Sequence, residues 1–253
     1  MDSRAAPPQS EPRRAFSAPY GQATDQFWMS GSSKPCDQRC RCVDAEPSIE
    51  GAKQMSQRRI IAAMQVSVDG LIEGPNGEVD WVGSWDDSFG LLSQIDTCVL
   101  GGGMYPGYEE YWLAILADPE GVLPLTGEVP TEDEIAYARF ADQTPHFVLS
   151  STLGEVRWKT TRVVREVEAI RRLKQEPGKD IYAVGGATFI SSLMNLGLVD
   201  ELRLTVRPIV LGRGKALFKD VNQRHPLALV RAEQREGEKV GLIYQHANAA
   251  TSD

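Results

Sequence analysis

Apolar residues are scattered without period through positions 1 to 56 and become ordered from Arg58 onward. Ile60, Ile61, Ala62, Ala63, Met64, Val66 and Val68 form a nearly continuous run, which predicts a strand covered on both faces. Asp69-Gly70 and Gly74-Pro75-Asn76-Gly77 then mark turns. A stripe of Phe89, Leu92 and Ile95 predicts a helix over 85–96. Thr97 to Leu100 reads as a second buried strand, ended by Gly101-Gly102-Gly103, and a short helix follows with Tyr108, Tyr111 and Trp112. Residues 113–130, with Pro119, Gly121, Pro124, Gly127 and Pro130, read as a long insertion of the kind that serves as a lid. Thr131 with Glu134 three residues on is a capping-box pattern opening a helix that ends near Ala141.

The second half repeats the alternation. His146–Leu149, Thr161–Arg165, Ile181–Val184 and Glu201–Val206 read as strands, and 167–175 and Ala187–Leu196 as helices. Leu227–Glu236 and Lys239–His246 flank Gly237 as a terminal hairpin. Strands alternating with helices and closing on a hairpin imply an α/β fold of three layers, α/β/α. Its central sheet is mixed and mostly parallel, with the antiparallel hairpin at the C-terminal end. The fold domain runs over 57–247, after a disordered extension over 1–56 and before a tail over 248–253. Met55 stands just ahead of the first strand as an alternative start.

Composition narrows the function classes. With Lys+Arg 27 against Asp+Glu 35, the net charge of -8 argues against a nucleic-acid partner. No apolar run approaches the ~20 residues that span a bilayer. The first residues have no apolar core, and Asp2, Glu11, Asp25 and Asp37 are out of place in a transit peptide, so the cytoplasm is the expected compartment. Cys36, Cys40 and Cys42 are spaced Cys-x-x-x-Cys-x-Cys with no histidine nearby; unpaired thiols fit that pattern better than zinc, and no metal is expected.

The residues with chemistry gather where strands end. In Val184-Gly185-Gly186-Ala187-Thr188 a buried strand gives way at once to a helix. Backbone without Cβ atoms, next to the positive end of a helix, suits a phosphate. The plainer alternative is a tight turn. Gly101, Gly102 and Gly103 follow a second strand, and Ser150 and Ser151 a third. In open α/β sheets ligands collect outside such carboxyl ends. A separate acidic and aromatic group contains Asp69, Glu73, Asp80, Trp81, Trp85, Asp86 and Asp87. A carboxyl beside an indole is suited to proton donation, whereas Asp86 or Asp87 would equally suit a helix cap.

These residues carry a family resemblance. Ser67-Val68-Asp69-Gly70-Leu71-Ile72, Asn76-Gly77-Glu78-Val79-Asp80-Trp81, Phe147-Val148-Leu149-Ser150-Ser151 and Val184-Gly185-Gly186 occur in the order seen in dihydrofolate-reductase-like proteins. Leu198-Val199-Asp200-Glu201-Leu202 and Pro208-Ile209-Val210-Leu211-Gly212-Arg213-Gly214 complete the set. The likeness covers about residues 58 to 246 and is strongest to the reductase domain of riboflavin-biosynthesis deaminase-reductases and its stand-alone relatives. It implies NADPH as cofactor, NADH not being excluded, a pterin-like or pyrimidine-like heterocycle as substrate, and a homodimer. By position, Gly185, Gly186, Ala187 and Thr188 would hold the diphosphate, and Ser150 and Ser151 would lie near the 2′-phosphate. Asp69 would face the nicotinamide or the substrate, which would sit between Asp69, Trp81 and Asp86, and Asp86 would anchor it and assist its protonation. Two positions depart from the pattern. Gly102 stands where the family carries Arg or Lys, and Met104 where it carries Thr, which weakens the expectation of a charge-assisted contact to the 2′-phosphate. Two other readings share these motifs: a riboflavin-pathway pyrimidine reductase without its deaminase domain, and a nucleotide-binding protein without chemistry.

Overall fold

A computed structural model describes residues 57–124 and 126–247. The extension, its three cysteines and the C-terminal tail lie outside the described residues. One sheet of eight strands forms the centre, in the order β5-β4-β3-β6-β1-β7-β10-β9. These are β1 (Ile60–Ser67), β3 (Ile95–Gly101), β4 (His146–Leu149), β5 (Thr161–Val164), β6 (Asp180–Val184), β7 (Glu201–Arg207), β9 (Leu227–Arg235) and β10 (Lys239–His246). The first six pair in parallel, while β10 runs antiparallel to both β7 and β9. The expected mixed sheet with a terminal hairpin is therefore present. A small second sheet pairs β2 (Leu71–Glu73) with β8 (Lys215–Ala216). Neither of these strands stands out in the sequence, since each is too short to show a period.

Side chains along β1 alternate between two cores. Ile60, Ala62 and Val66 join α4 (Glu168–Leu173) and α5 (Ala187–Asn195) on one face. Ile61 faces α2 (Tyr105–Ala117) and α3 (Glu132–Gln143) on the other. Burial on both faces is why this strand reads as continuously apolar. The sheet is pinned where the domain begins: the buried Arg58 bonds Asp96, Thr97 Oγ1 at 2.7 Å and the Lys179 carbonyl. Arg59 bonds Asp180 at 2.5 Å and Glu201 at 2.9 Å.

Two expectations are corrected. The helix over 85–96 shrinks to one 3-10 turn at Ser88–Gly90 and a single α turn, α1 (Leu91–Gln94). Phe89 and Gly90 take φ of 63° and 62°, which breaks the helix, and Ile95 opens β3 instead. The insertion is also shorter than 113–130 suggests. Helix α2 continues through Ala117 with Ile115 fully buried, and Leu123 anchors the remaining loop in the aromatic core. The capping box at Thr131 forms as expected, with Glu134 N–H donating to Thr131 Oγ1 at 3.2 Å and Thr131 N–H to Glu134 Oε2 at 2.9 Å.

Candidate cofactor and substrate cleft

Parallel pairing places the ends of β1, β3, β4, β5, β6 and β7 on one edge of the sheet. Asp69, Gly101 to Gly103, Ser150-Ser151 and Gly185-Gly186 all follow those ends, so the predicted groups come to the same edge.

The glycines there have different jobs. A Cβ on Gly185 would lie 2.5 Å from Phe189 Cδ1, and one on Gly101 would lie 3.0 Å from Phe189 Cβ. These two glycines therefore let the first turn of α5 pack directly on the ends of β6 and β3. Gly102 donates its N–H to the Leu149 carbonyl at 3.0 Å, and a Cβ there would overlap Ser150. Gly186 and Gly103 are different, because nothing lies within 4 Å of where their Cβ atoms would be. Gly186 is the N-cap of α5, in extended conformation, with no side-chain cap and no acidic residue in the first turn. The leading N–H groups of α5 thus have no acceptor within the helix, at an end where the dipole favours negative charge. Open space at Gly186 beside these amides, with more at Gly103 on the same sheet edge, leaves room that suits a diphosphate.

Ser150 Oγ accepts from Leu153 N–H at 3.0 Å and Thr152 N–H at 3.3 Å, which folds its loop. Arg165, just past β5, donates to the Ser150 carbonyl at 2.6 Å and the Leu153 carbonyl at 3.0 Å. It is exposed and stands beside Ser150 at the edge. Sequence reasoning missed it because a lone arginine after a short strand carries no pattern. Thr188 donates its hydroxyl to Asp220 at 3.1 Å, so toward a ligand it offers its backbone N–H.

Asp69 has a bracing role. Its carboxylate accepts from Ser67 Oγ at 2.7 Å, Gly212 N–H at 2.7 Å and Leu211 N–H at 3.2 Å. The Ser67 hydroxyl, then the Gly212 amide, hold it below the usual carboxylate range. The loop after β1 is thereby tied to the loop after β7, and Val68 N–H to the Ile209 carbonyl at 2.9 Å adds to the bracket. Segment 81–86 lies over β1 and β7: Gln65 bonds Gly83 through both its N–H and carbonyl, at 3.2 and 2.9 Å. Arg207 presses against Gly83 from β7. Trp81, half-buried in this segment, has an indole N–H with no partner among the described residues. Asp87, not Asp86, caps the α1 turn, accepting from Leu92 N–H at 2.9 Å. Asp86 is drawn to the β9–β10 hairpin, 3.4 Å from Lys239 and 3.7 Å from Arg235.

The chain resembles proteins of known sequence and structure. The chain is 37% identical to the uncharacterized protein YyaP of Bacillus subtilis over 194 residues, 75% of this chain and 96% of that one. It is 28% identical to the uncharacterized protein YwjB of the same organism, over 76% and 99% of the two chains. A crystal structure from Shewanella sp. PV-4, named for riboflavin biosynthesis, superposes with a TM-score of 0.53 at 20% identity. That match covers 74% of this chain and 98% of the other. A Thermotoga maritima diaminohydroxyphosphoribosylaminopyrimidine deaminase and 5-amino-6-(5-phosphoribosylamino)uracil reductase superposes at 0.50 with 15% identity, over 76% of this chain and 57% of that one. Both structures share the fold, and residues 58–241 match the RibD C-terminal domain. The chain is a member of the RibD C-terminal domain family.

Proposed function

We propose that this protein is a nicotinamide-dependent oxidoreductase that reduces a small heterocycle of pyrimidine or pterin type. The observation that carries this reading is the uncapped start of α5 opening onto empty space at Gly186 and Gly103, on the edge where β3, β4 and β6 end. The backbone amides of Gly186, Ala187 and Thr188 would hold the diphosphate, with Gly101, Gly102, Gly103, Ser150 and Ser151 lining the adenosine side. Gly102 cannot be replaced by the family's cation without displacing Ser150, and Arg165, which bonds the Ser150 carbonyl, would take over the 2′-phosphate. When bound, the cofactor supplies the hydride. Trp81 would donate its unpaired indole N–H to an acceptor on the ring, and Asp69 would keep the flanking loops in register. Asp86, facing Arg235 and Lys239, would handle the proton. The cytoplasm, where such cofactors are held, is the compartment that goes with this reading.

Fluorescence titration with NADPH and NADH tests it. Gly186→Val should fold normally, since its Cβ enters open space at φ −75°, yet lose cofactor affinity tenfold or more. Arg165→Ala should weaken NADPH and leave NADH unchanged. No saturable binding of either cofactor to the unaltered protein would leave a non-catalytic role as the better reading. Once binding is established, dihydrofolate and the riboflavin-pathway pyrimidine are the substrates to try first, and Asp86→Asn should slow turnover without changing cofactor affinity.

A further inference from the structure

A cavity of about 380 Å³ lies on the sheet face shared by β1, β7, β10 and β9. Its residues sit at the amino ends of β1 and β7, opposite to the edge that carries the glycines. The register builds it: Arg203 lies between Ala63 and Ile243, Ile243 lies beside Arg231, and Glu201 lies between Ile61 and Gln245. Cross-strand neighbours share a face, so charged groups of β7 and β9 converge here with Arg59, the residue just before β1.

Arg203 is the unusual member, being 4% exposed in the middle of a sheet. Its Nε donates to Glu201 Oε1 at 2.7 Å and its Nη2 to Gln94 Oε1 at 2.7 Å. Its Nη1 is buried and has no partner among the described residues. Glu201 has no capacity to spare for it, since Oε2 already accepts from Arg59 at 2.9 Å and Gln245 at 3.3 Å. A buried guanidinium nitrogen without an acceptor is costly, and the described residues supply none. The surroundings suit an anion. Arg59 and Arg231 line the same cavity, 41% and 56% exposed at their side chains, and their other carboxylate partners, Asp180 and Glu233, are not among its lining.

The remaining walls are apolar. Ile243 and Val230 supply aliphatic surface, and Phe89 closes one side. Phe89 holds a left-handed backbone, φ 63°, that a residue with a Cβ rarely adopts. Its ring is pressed against Gly241, with the guanidinium carbons of Arg235 and Arg231 at 4.9 and 5.3 Å from its centroid.

We propose that this cavity binds a small organic oxyanion, a carboxylate or phosphate with a compact apolar body, through Arg203. The oxyanion accepts from Nη1, the exposed guanidinium groups of Arg59 and Arg231 draw it in, and the apolar body rests on Ile243, Val230 and Phe89. This site is separate from the cofactor cleft and does not depend on the reductase reading.

Calorimetric titration of the full chain with benzoate and, separately, with inorganic phosphate tests it. Saturable 1:1 binding of either supports the site, and which one binds identifies the oxyanion. Affinity should fall tenfold or more in Arg203→Met. Should that variant fail to fold, Val230→Asp serves in its place, since it sets a negative charge at the mouth on an exposed position. Gly186→Val should leave this binding unchanged. Binding that survives Val230→Asp and disappears in Gly186→Val belongs to the start of α5 and overturns the proposal. So does the absence of saturable binding at millimolar concentration. A crystal with only water at Nη1, or with an acidic side chain of a second copy there, overturns it as well.

Discussion

At the scale of single residues, a missing Cβ means different things at neighbouring glycines. Gly102 touches Ser150 and Gly103 faces open space, although the two are adjacent and chemically identical. Gly102→Ala should therefore destabilise the domain by ~1–3 kcal/mol through overpacking, while Gly103→Ala should be close to neutral. Thermal denaturation of the two variants side by side checks this, with a fall of ~2–4 °C per kcal/mol expected for a domain of this size. Asp69 makes a similar point for polar groups. Its position just past β1 suggested a group facing substrate, yet all three of its named acceptor contacts go to the protein itself. Asp69→Ala should release the loop after β7, seen as faster amide hydrogen exchange at Gly212 and Leu211. Unchanged exchange there would mean that the bracket is held by the Val68–Ile209 pairing alone.

At the scale of elements, α2, α3 and β4 are joined by a buried chain of hydrogen bonds. His146, the first residue of β4, is fully buried and its Nδ1 lies 2.7 Å from the Thr144 carbonyl. A carbonyl only accepts, so Nδ1 carries the proton, and in the neutral ring Nε2 accepts from Tyr108 at 3.0 Å. Tyr108 in turn accepts from Tyr137 at 2.7 Å. Burial pushes the His146 pKa down to about 4, more than the Thr144 carbonyl and Glu109 raise it. A histidine depressed in the folded state binds its proton more readily when unfolded. The neutral ring's contribution is complete above the unfolded value of about 6.5 and is lost as pH falls toward 4, ~3 kcal/mol in all. Urea denaturation at pH 7 and pH 4.5 should show this loss, and His146→Gln should show a visibly smaller difference between the two. An equal pH dependence in the variant would place the acid sensitivity elsewhere.

At the scale of the molecule, the sheet ends in a strand whose side chains are largely exposed among the described residues. Strand β9 is the outermost, and Leu229 and Val230 are 57% and 55% exposed. Edge strands with exposed apolar side chains favour pairing with another chain, and we propose β9 as the contact of the homodimer that the family resemblance implies. Leu229→Lys should lower the apparent mass in sedimentation equilibrium if β9 is the contact. A dimer of unchanged strength in that variant would place the interface on another surface.

Much of this architecture is legible in the chain alone, and for local reasons. A strand buried on both faces must be largely apolar, as Ile60 to Met64 are throughout, and a chain leaving such a strand into a helix needs small residues, as at Gly185-Gly186. The Thr131 capping box is closed by side chains three positions apart, so its spacing suffices to predict it. Other features depend on partners distant in sequence. Phe189 decides that Gly101 and Gly185 serve packing while Gly186 stays open. The hairpin 150 residues away draws Asp86 off and leaves the helix cap to Asp87. Gly241 receives the Phe89 ring where that residue's left-handed backbone cuts the expected helix short. Arg203 and Glu201 share a face by strand alternation, but that face is buried because β7 lies between β1 and β10. Local periodicity records which side of an element is buried, whereas which distant group meets it is decided when the sheet closes.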